Sequence, residues 1–475
     1  WCYKTEPEKE LNNRVLSWPR GKVVGGSSSI NGLLYVRGQQ EDFNDWAIKN
    51  GNLGWSWKDV LPYFRRLEKW KGDDPNNVRG HNGPLNIEET GFRRAIVNQW
   101  LKSSENLGYF RNPDYNHRQE GVGHFQLTIS NGLRCSSADA YLKPINYRRN
   151  LTLLRNTIVS RILVSEGKAL GVEVIRNGRP SKIFANREVI ISAGAIGSPQ
   201  ILMLSGIGDV SELNKHNIKV INNLPGVGKN LQDHLQARPV FRTNLPTLNT
   251  ESRNIFKKFL MLLQYATSRS GPMTMAASLG VGFLRTSGNF SRPDIQFHIQ
   301  PFSSDDPIKG THSFSAFTSS VTQLRPHSKG FIKLKSASIF DHPEIYPQYL
   351  SHEVDRKTVL KGVEIALKIA SVEPLKSSIT NIYSPGEENI KDGKRGILEW
   401  IRNSAVTIYH PVGTCKMGSD KLAVVSNDLK VYGVDRLRVV DASIMPKITS
   451  GNTNAPTIMI GEKGSDLIIE DTKNN

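Results

Sequence analysis

The sequence decides its fold in three stretches near the C-terminus: YHPVGTCKMG at residues 409–418, LRVVDASIMP at 437–446 and SGNTNAPTIMIGE at 450–462. The first stretch contains a lone histidine, His410, followed by a proline and a glycine. The second is typical of a buried strand that ends at an aspartate, and the third of a polar glycine turn that opens a helix near Pro456. Together they predict a functional site at the edge of an α/β fold.

Two glycine-rich stretches extend this pattern. RGKVVGGSSSING, at residues 20–32, lets backbone amides approach a ligand closely and face an anion. SAGAIGSPQILMLSGIG, at residues 192–208, predicts a strand, a glycine turn and a helix with Ser198 as its N-cap, Pro199 as its first residue and Gly206 at its end. By composition alone, an ordinary Gly-Ser loop explains the first stretch better, and a structural strand-to-helix turn explains the second equally well.

The middle of the chain predicts two kinds of sheet. Apolar runs at 151–154 and 160–164 and an alternating run at 171–175, closed by an Asn177-Gly178 hairpin turn, predict a β-meander. Residues 290–340 alternate with the period of antiparallel strands. One face of a following helix is marked by Val359, Val363, Ala366, Leu367 and Ala370.

Composition narrows the class of protein. A chain of 475 residues can bury a large core, and its net charge of +18 is scattered without basic blocks, so we expect no nucleic-acid partner. No run of 18 apolar residues occurs, so no transmembrane segment is expected. The three cysteines, Cys2, Cys135 and Cys415, are too few and too widely spaced for a disulfide framework or a zinc site. We therefore expect no metal site. We expect a cytoplasmic protein, with a peripheral position at the inner membrane as the alternative.

These stretches together resemble the glucose–methanol–choline (GMC) flavoprotein oxidoreductases, specifically members of the bacterial choline dehydrogenase and alcohol dehydrogenase type. The stretches at 20–32 and 192–208 are similar to the two GMC signatures, and those at 409–418 and 437–462 to the family's C-terminal block. The resemblance implies a mixed α/β (α+β) fold, in which a Rossmann-like FAD-binding domain is interleaved with a substrate domain built on an antiparallel sheet. The implied FAD-binding segments are 1–60, 150–235 and 405–475, and the implied substrate-binding segments are 61–149 and 236–404.

The resemblance also implies an activity and a set of site residues. The reaction is the FAD-dependent oxidation of an alcohol CH–OH group to an aldehyde or ketone, with His410 as the catalytic base and Asn452 beside it. A lone histidine is by itself more often structural, and Asn452 alone is compatible with a turn residue. His298 either faces the substrate or the core. The implied cofactor-binding residues are Arg20, Val23, Gly26, Ser27, Asn31, Gly32, Val159, Gly194, Asp441, Ala442, Thr453 and Pro456. Some family members attach the flavin to a histidine at the position of Ile30, so noncovalent FAD is expected here.

One family feature is missing from the sequence. No Gly-x-Gly-x-x-Gly occurs between a strand and a helix, so we expect the first βαβ unit of the FAD-binding domain to be missing and the chain to be N-terminally truncated. On that expectation the chain alone binds flavin weakly and aggregates. Two alternatives to an alcohol oxidoreductase stay open: a GMC-fold lyase that does not use the flavin's redox cycle, and an inactive fragment unable to hold FAD.

The sequence says less about the alcohol substrate and the electron acceptor than about the cofactor. The run SLGVGF at residues 278–283 has no acidic residue to pair with a quaternary ammonium, which argues against choline itself among small-molecule alcohols. The electron acceptor is a quinone, a dye or O2, and the sequence does not separate an oxidase from a dehydrogenase.

Overall fold

The computed structural model describes residues 1–305 and 310–474. Its largest sheet is antiparallel and has eight strands, which confirms the antiparallel strands predicted between 290 and 340. The strands of this sheet are Gly121–His124, Leu235–Ala237, Val240–Thr243, Gly280–Leu284, Ile295–Gln300, Ala316–Gln323, Ile379–Ser384 and Val406–Thr407.

The central strands of this sheet are covered on both faces. Phe297 and its neighbour Val321 are buried, and the helix Glu353–Ala370 packs so closely that a side chain at Gly362 would collide with Val321. This helix contains the predicted apolar face. On the opposite face of the sheet, polar side chains such as His298 are buried as well. The alternation in sequence therefore marks two buried environments, one apolar and one polar, rather than a core face and a solvent face.

A second region has the predicted α/β character. The strand Val189–Ile191 runs parallel to Leu437–Val439, and the antiparallel meander is formed by Thr157–Ser165, Lys168–Arg176 and Arg179–Phe184. The hairpin turn at Asn177-Gly178 is confirmed, with both residues at positive φ. The predicted strand at 151–154 is wrong: no strand of the described residues pairs with it, and its three leucines are partly exposed.

The helix after Val189–Ile191 begins earlier than predicted. It spans Gly194–Leu204, so Ser198 is not its N-cap, although Gly206 does follow its end at positive φ as predicted. Ser198 lies inside the helix, and its hydroxyl oxygen accepts the Ala193 N–H at 3.1 Å. Pro199 therefore sits in the second turn, where its missing N–H leaves the Ala195 carbonyl without a helical donor. The Thr414 hydroxyl donates to that carbonyl at 2.6 Å, and this bond ties the helix to the segment that follows His410.

Smaller elements complete the structure. The remaining helices are Gln40–Ile48, Trp57–Leu67, Ala95–Asn106, Val210–Lys215, Leu248–Glu251, Ile255–Ser268, Leu375–Ser378, Glu387–Lys391, Gly393–Ser404 and Asn454–Asn474. The remaining strands are Cys2–Lys4, Ser17–Pro19, Glu68–Trp70, Leu85–Glu89, Gln126–Leu127, Ile129–Ser130, Leu133–Arg134, Ile207–Gly208, Asn222–Asn223, Phe331–Lys333 and Glu344–Tyr346. Across residues 1–305 and 310–474, no helix is both long enough and apolar enough to cross a membrane.

Candidate active site

A cleft of about 1870 Å³ brings most of the residues singled out in the sequence to one place. Its lining includes Arg20, Gly26, Ser27, Asn31, Gly32, Val159, Gly194, His410, Asp441, Ala442, Asn452 and Thr453. Two expected cofactor residues do not line it: the Val23 side chain is half exposed, and Pro456 is buried within the helix Asn454–Asn474. Pockets for a single small molecule usually measure roughly 300–1,000 Å³, so this cleft has room for a larger ligand together with a small one.

The backbone before His410 turns sharply and directs this residue into the cleft. Tyr409 adopts a φ of 67°, which is unusual for a residue other than glycine. The Asp233 carboxylate holds this turn in place, because its Oδ1 accepts the His410 N–H at 2.7 Å. Its Oδ2 accepts the Thr407 hydroxyl at 2.6 Å and the Tyr349 hydroxyl. One buried aspartate therefore fixes the backbone position of the candidate base.

A second buried residue fixes the His410 ring. His234 Nε2 lies 2.9 Å from the Leu324 carbonyl oxygen, which can only accept, so His234 carries its proton on Nε2. Burial lowers the pKa of His234 to about 4, so the ring is neutral and its Nδ1 is an acceptor. His410 Nδ1 lies 3.0 Å from that atom and must therefore be the donor.

The same reasoning assigns the other nitrogen of His410. Burial, with smaller contributions from His234, His298 and Arg20, lowers the pKa of His410 well below its usual value. The ring is then neutral, and Nε2 keeps its lone pair. Asn452 Nδ2 donates to this atom at 3.1 Å, and Asn452 Oδ1 in turn accepts from Gln296 Nε2 at 3.2 Å. The site thus presents an unprotonated ring nitrogen that can accept a proton from a hydroxyl. Beside it is an amide N–H that can donate to the oxygen of that hydroxyl.

The loop at residues 20–32 is held by internal contacts. Asn31 Oδ1 accepts from Arg134 Nη1 at 2.6 Å, and Arg134 also donates to the backbone oxygens of Asn31 and Ser28. Arg20 donates from Nη2 to the Tyr409 carbonyl at 2.7 Å, which joins this loop to the turn before His410. The sequence did not point to Arg134, because it lies far from the loop in the chain and carries no motif.

The Asp441 side chain joins two segments of the cleft wall. Its Oδ2 accepts the Gly194 N–H at 2.9 Å and the Ser198 hydroxyl at 2.5 Å, while Oδ1 accepts the Ser443 N–H at 2.7 Å. The carboxylate therefore ties the start of the helix Gly194–Leu204 to the segment that carries Ala442. A carboxylate engaged by three donors is a structural anchor for this wall of the cleft.

The exposed backbone and free polar atoms of the cleft fit a flavin nucleotide. Gly26 and Gly194 both have positive φ, and apart from the adjoining backbone no atom of the described residues lies within 4 Å of where a Cβ would stand. A ligand can therefore reach the backbone at these two points. Two buried nitrogens of cleft residues, Arg20 Nε and His298 Nε2, have no hydrogen-bond partner among the described residues and are free to bind a ligand.

His298, Gln296 and His234 are the residues for which sequence reasoning was incomplete. His298 lines the cleft, and its ring stacks on Phe125 with centroids 5.3 Å apart; burial lowers its pKa to about 3. His234 ends the stretch LPGVGKNLQDH at residues 224–234, in which no motif assigns a role to the histidine. Its role follows from the fold, because His234 leads directly into the strand Leu235–Ala237, which pairs with Val406–Thr407 just before His410.

Comparison with known proteins gives a consistent picture. Family models of GMC oxidoreductases match residues 7–236 and 326–461. The mitochondrial choline dehydrogenase of Mus musculus is 41% identical over 471 residues, which make up 98% of this chain and 78% of that protein. The alcohol dehydrogenase (acceptor) of Pseudomonas putida is 38% identical over 473 residues, covering 99% of this chain and 85% of that protein.

A solved structure extends the likeness to three dimensions. A variant of formate oxidase from Aspergillus oryzae, studied for its effect on FAD modification, superimposes with a TM-score of 0.91. It is 27% identical, and the match covers 100% of this chain and 89% of that chain. The arrangement of the antiparallel sheet and the α/β region is therefore one that a flavoenzyme uses.

Proposed function

Because the chain belongs to the GMC oxidoreductase family and is an FAD-dependent oxidoreductase acting on CH–OH donors, we propose that His410 is its catalytic base. In this proposal His410 Nε2 takes the hydroxyl proton of the alcohol, and the Asn452 amide donates to the same oxygen. Bound FAD supplies the hydride acceptor for the oxidation. The protein contributes the orientation of the alcohol and hydrogen bonds to its oxygen.

One observation carries this assignment: the four-residue chain of hydrogen bonds from the Leu324 carbonyl through His234 and His410 to Asn452. It leaves the proton on Nδ1 of His410 and the lone pair on Nε2. Burial keeps the ring neutral well below physiological pH, so the base needs no prior deprotonation. The direction of these bonds supports a base rather than an acid in the resting site.

We propose that the FAD is held noncovalently. Ile30, on the cleft wall, has no nucleophilic atom to bond to a flavin. We propose that the FAD contacts the exposed backbone of Gly26 and Gly194. Further contacts would come from residues of the cleft wall, namely Val159, Ala442 and Thr453. Acid precipitation should leave yellow flavin in the supernatant, whereas colour retained in the pellet would show a covalent bond.

The substrate we propose is a small uncharged alcohol rather than choline. Ser278, at the cleft, lies in a run without acidic side chains, so no carboxylate from this run can pair with a quaternary ammonium. A panel of primary and secondary alcohols with choline, assayed with a dye, a quinone and O2 in turn, would identify both substrate class and acceptor. Turnover of choline above that of every uncharged alcohol would contradict the proposal.

The experiment that tests the function replaces His410 and Asn452. His410→Ala should lower turnover by about a hundredfold or more while flavin absorbance stays the same. Asn452→Ala should slow flavin reduction in anaerobic stopped flow, and Asn452→His should retain part of the rate. His216→Ala is a matched control, because His216 is paired with Glu212 on the helix Val210–Lys215 outside the cleft.

Three outcomes separate the alternatives. Near-normal turnover of His410→Ala would overturn its role. Flavin that binds but is not bleached by any alcohol under anaerobic conditions would favour a lyase. Protein that purifies without flavin absorbance and does not take up added FAD would favour an inactive fragment.

We also propose a cytoplasmic location at the surface of the inner membrane rather than within it. The described helices do not include one that can span a bilayer. The support for a peripheral position is the helix Ile255–Ser268, whose apolar side chains are exposed.

A further inference from the structure

The helix Ile255–Ser268 differs from every other long helix described here, because none of its residues is buried. Six large apolar side chains on it are 45 to 86% exposed: Ile255, Phe256, Phe259, Leu260, Leu262 and Leu263. At 3.6 residues per turn these residues fall within about 160° of the helix circumference. The helix therefore turns a continuous apolar face outward, which a protein surrounded only by water rarely does.

The opposite side of the helix attaches it to the protein. Met261 and Tyr265 are half-buried, and the Tyr265 hydroxyl donates to the Gly132 carbonyl at 3.4 Å. The helix begins with a formed cap, since Asn254 Oδ1 accepts the Lys257 N–H at 3.0 Å. The outward face is thus the result of a defined attachment, not of an unfolded segment.

The charged residues of the segment 253–269 are all positive. Lys257 and Lys258 lie on the two flanks between the apolar face and the attached side, and Arg253 and Arg269 stand at the two ends. The stretch 255–268 contains no acidic residue, and within the described part of the chain neither lysine forms an ion pair. Long lysine side chains in such positions can reach lipid phosphates while the apolar residues enter the acyl region.

We propose that the helix Ile255–Ser268 is a docking surface for an anionic lipid bilayer. The inference deepens the proposed peripheral location and does not depend on the assigned catalytic roles. Charge favours lipid over a second copy of the chain, because a two-fold contact between these helices would bring four lysines together with no carboxylate from either helix. The helix leads through Pro272–Thr274 to Met275–Ser278 on the cleft wall, so a docked protein would hold the cleft close to the lipid surface.

The test is flotation of the purified full chain with vesicles of phosphatidylcholine alone or mixed with phosphatidylglycerol. The wild-type chain should float with the anionic vesicles, and less so as salt is raised. The double variant Phe259→Ser/Leu263→Ser should lower the partition coefficient about tenfold or more, because both substitutions remove apolar groups that would be buried in the bilayer. Lys257→Glu/Lys258→Glu should abolish the preference for anionic lipid. The matched control is Ile48→Ser/Phe340→Ser, which removes two exposed apolar side chains elsewhere and should bind like wild type.

Several readouts keep the result decisive. Equal flotation of the wild type and both helix variants would overturn the proposal. So would a dimer in sedimentation that Phe259→Ser/Leu263→Ser converts to monomer without changing flotation. Thermal unfolding checks that each variant is folded, and if the serine variant fails to fold, the lysine variant decides. Alcohol turnover with a soluble dye is measured on each variant, so a failed catalytic assignment and a failed docking surface give different results.

Discussion

The Nδ1 atoms of His234 and His410 lie 3.0 Å apart, and only one arrangement of protons satisfies both rings. The Leu324 carbonyl holds the proton of His234 on Nε2, so His410 must donate from Nδ1 and keep Nε2 as an unprotonated acceptor, which Asn452 Nδ2 contacts at 3.1 Å. The residue before His234 acts on the same target, since Asp233 binds the His410 backbone. Two consecutive residues thus set the position and the tautomer of one side chain.

The first prediction concerns the ring of His234. His234→Leu removes the acceptor for His410 Nδ1–H, so the tautomer is no longer fixed, and kcat should fall about a hundredfold. His234→Gln can accept from His410 through its amide oxygen and donate to Leu324, so it should recover much of the loss. Steady-state kinetics should show the change in kcat, with KM for the alcohol altered less.

If His234 positions His410, its replacement should also change the pH profile of the enzyme. The pH profile of His234→Leu should shift or broaden relative to wild type, because His410 is then free to exchange tautomers. Identical pH profiles and equal losses in the leucine and glutamine variants would mean that His234 only fills space.

The second prediction concerns Asp233. Asp233→Asn keeps the shape but replaces one acceptor oxygen with an NH2 group, which cannot accept from Thr407, Tyr349 or the His410 N–H. A buried donor left unpaired costs about 1–3 kcal/mol, so the free energy of unfolding should fall by at least that amount. Tyr349→Phe removes only one donor to this carboxylate and should cost less, whereas the Thr407 hydroxyl also accepts the Tyr409 N–H at 2.8 Å. If urea unfolding gives the same stability for Asp233→Asn and wild type, the carboxylate is not holding this turn.

The elements that local sequence chemistry controls were predictable. The Asn177-Gly178 turn, the antiparallel strands around Ile295–Gln300 and the strand ending near Asp441 followed from period and turn residues. The start of the helix at Gly194 was not, because Ser198 and Pro199 carry a strong N-terminal signal that tertiary contacts override. Asp441 accepts the first amide of that helix and Thr414 satisfies the carbonyl that Pro199 leaves free, and both lie over 200 positions away in the chain.

The candidate site shows the same limit. His410 and Asn452 stood out through their motifs, whereas Gln296, Arg134 and His234 contribute through contacts that no local pattern contains. His298 was ambiguous in sequence because an alternating strand does not reveal whether its polar face meets solvent or a buried cleft. Strand pairing with Ala316–Gln323 on one side and Gly280–Leu284 on the other buries it.

The third prediction uses the buried histidines as a source of pH dependence. Burial lowers the pKa of His298 to about 3, so between pH 6.5 and that value the unfolded chain binds a proton that the native site does not. The free energy of unfolding therefore falls as the pH drops below about 6.5, because protonation of His298 favours the unfolded chain. From pH 7.5 to 5 the loss for this residue should be about 2 kcal/mol.

His298→Gln tests that prediction by difference. Urea unfolding at both pH values should show a smaller loss of stability in the variant than in wild type, because groups that do not interact with His298 contribute equally to both proteins. The same slope in both proteins would mean that His298 is protonated in the native state or is already neutral in the unfolded chain.

The fourth prediction concerns Pro199 and Thr414. Thr414→Val leaves the buried Ala195 carbonyl without a donor and should cost about 1–3 kcal/mol. Pro199→Ala restores an N–H that can bond that carbonyl within the helix, so Thr414→Val should cost less in the Pro199→Ala background. A double-mutant cycle by urea unfolding should then give a coupling of about 1 kcal/mol or more. Additive effects would show that the Thr414 hydroxyl does not replace the hydrogen bond that Pro199 removes.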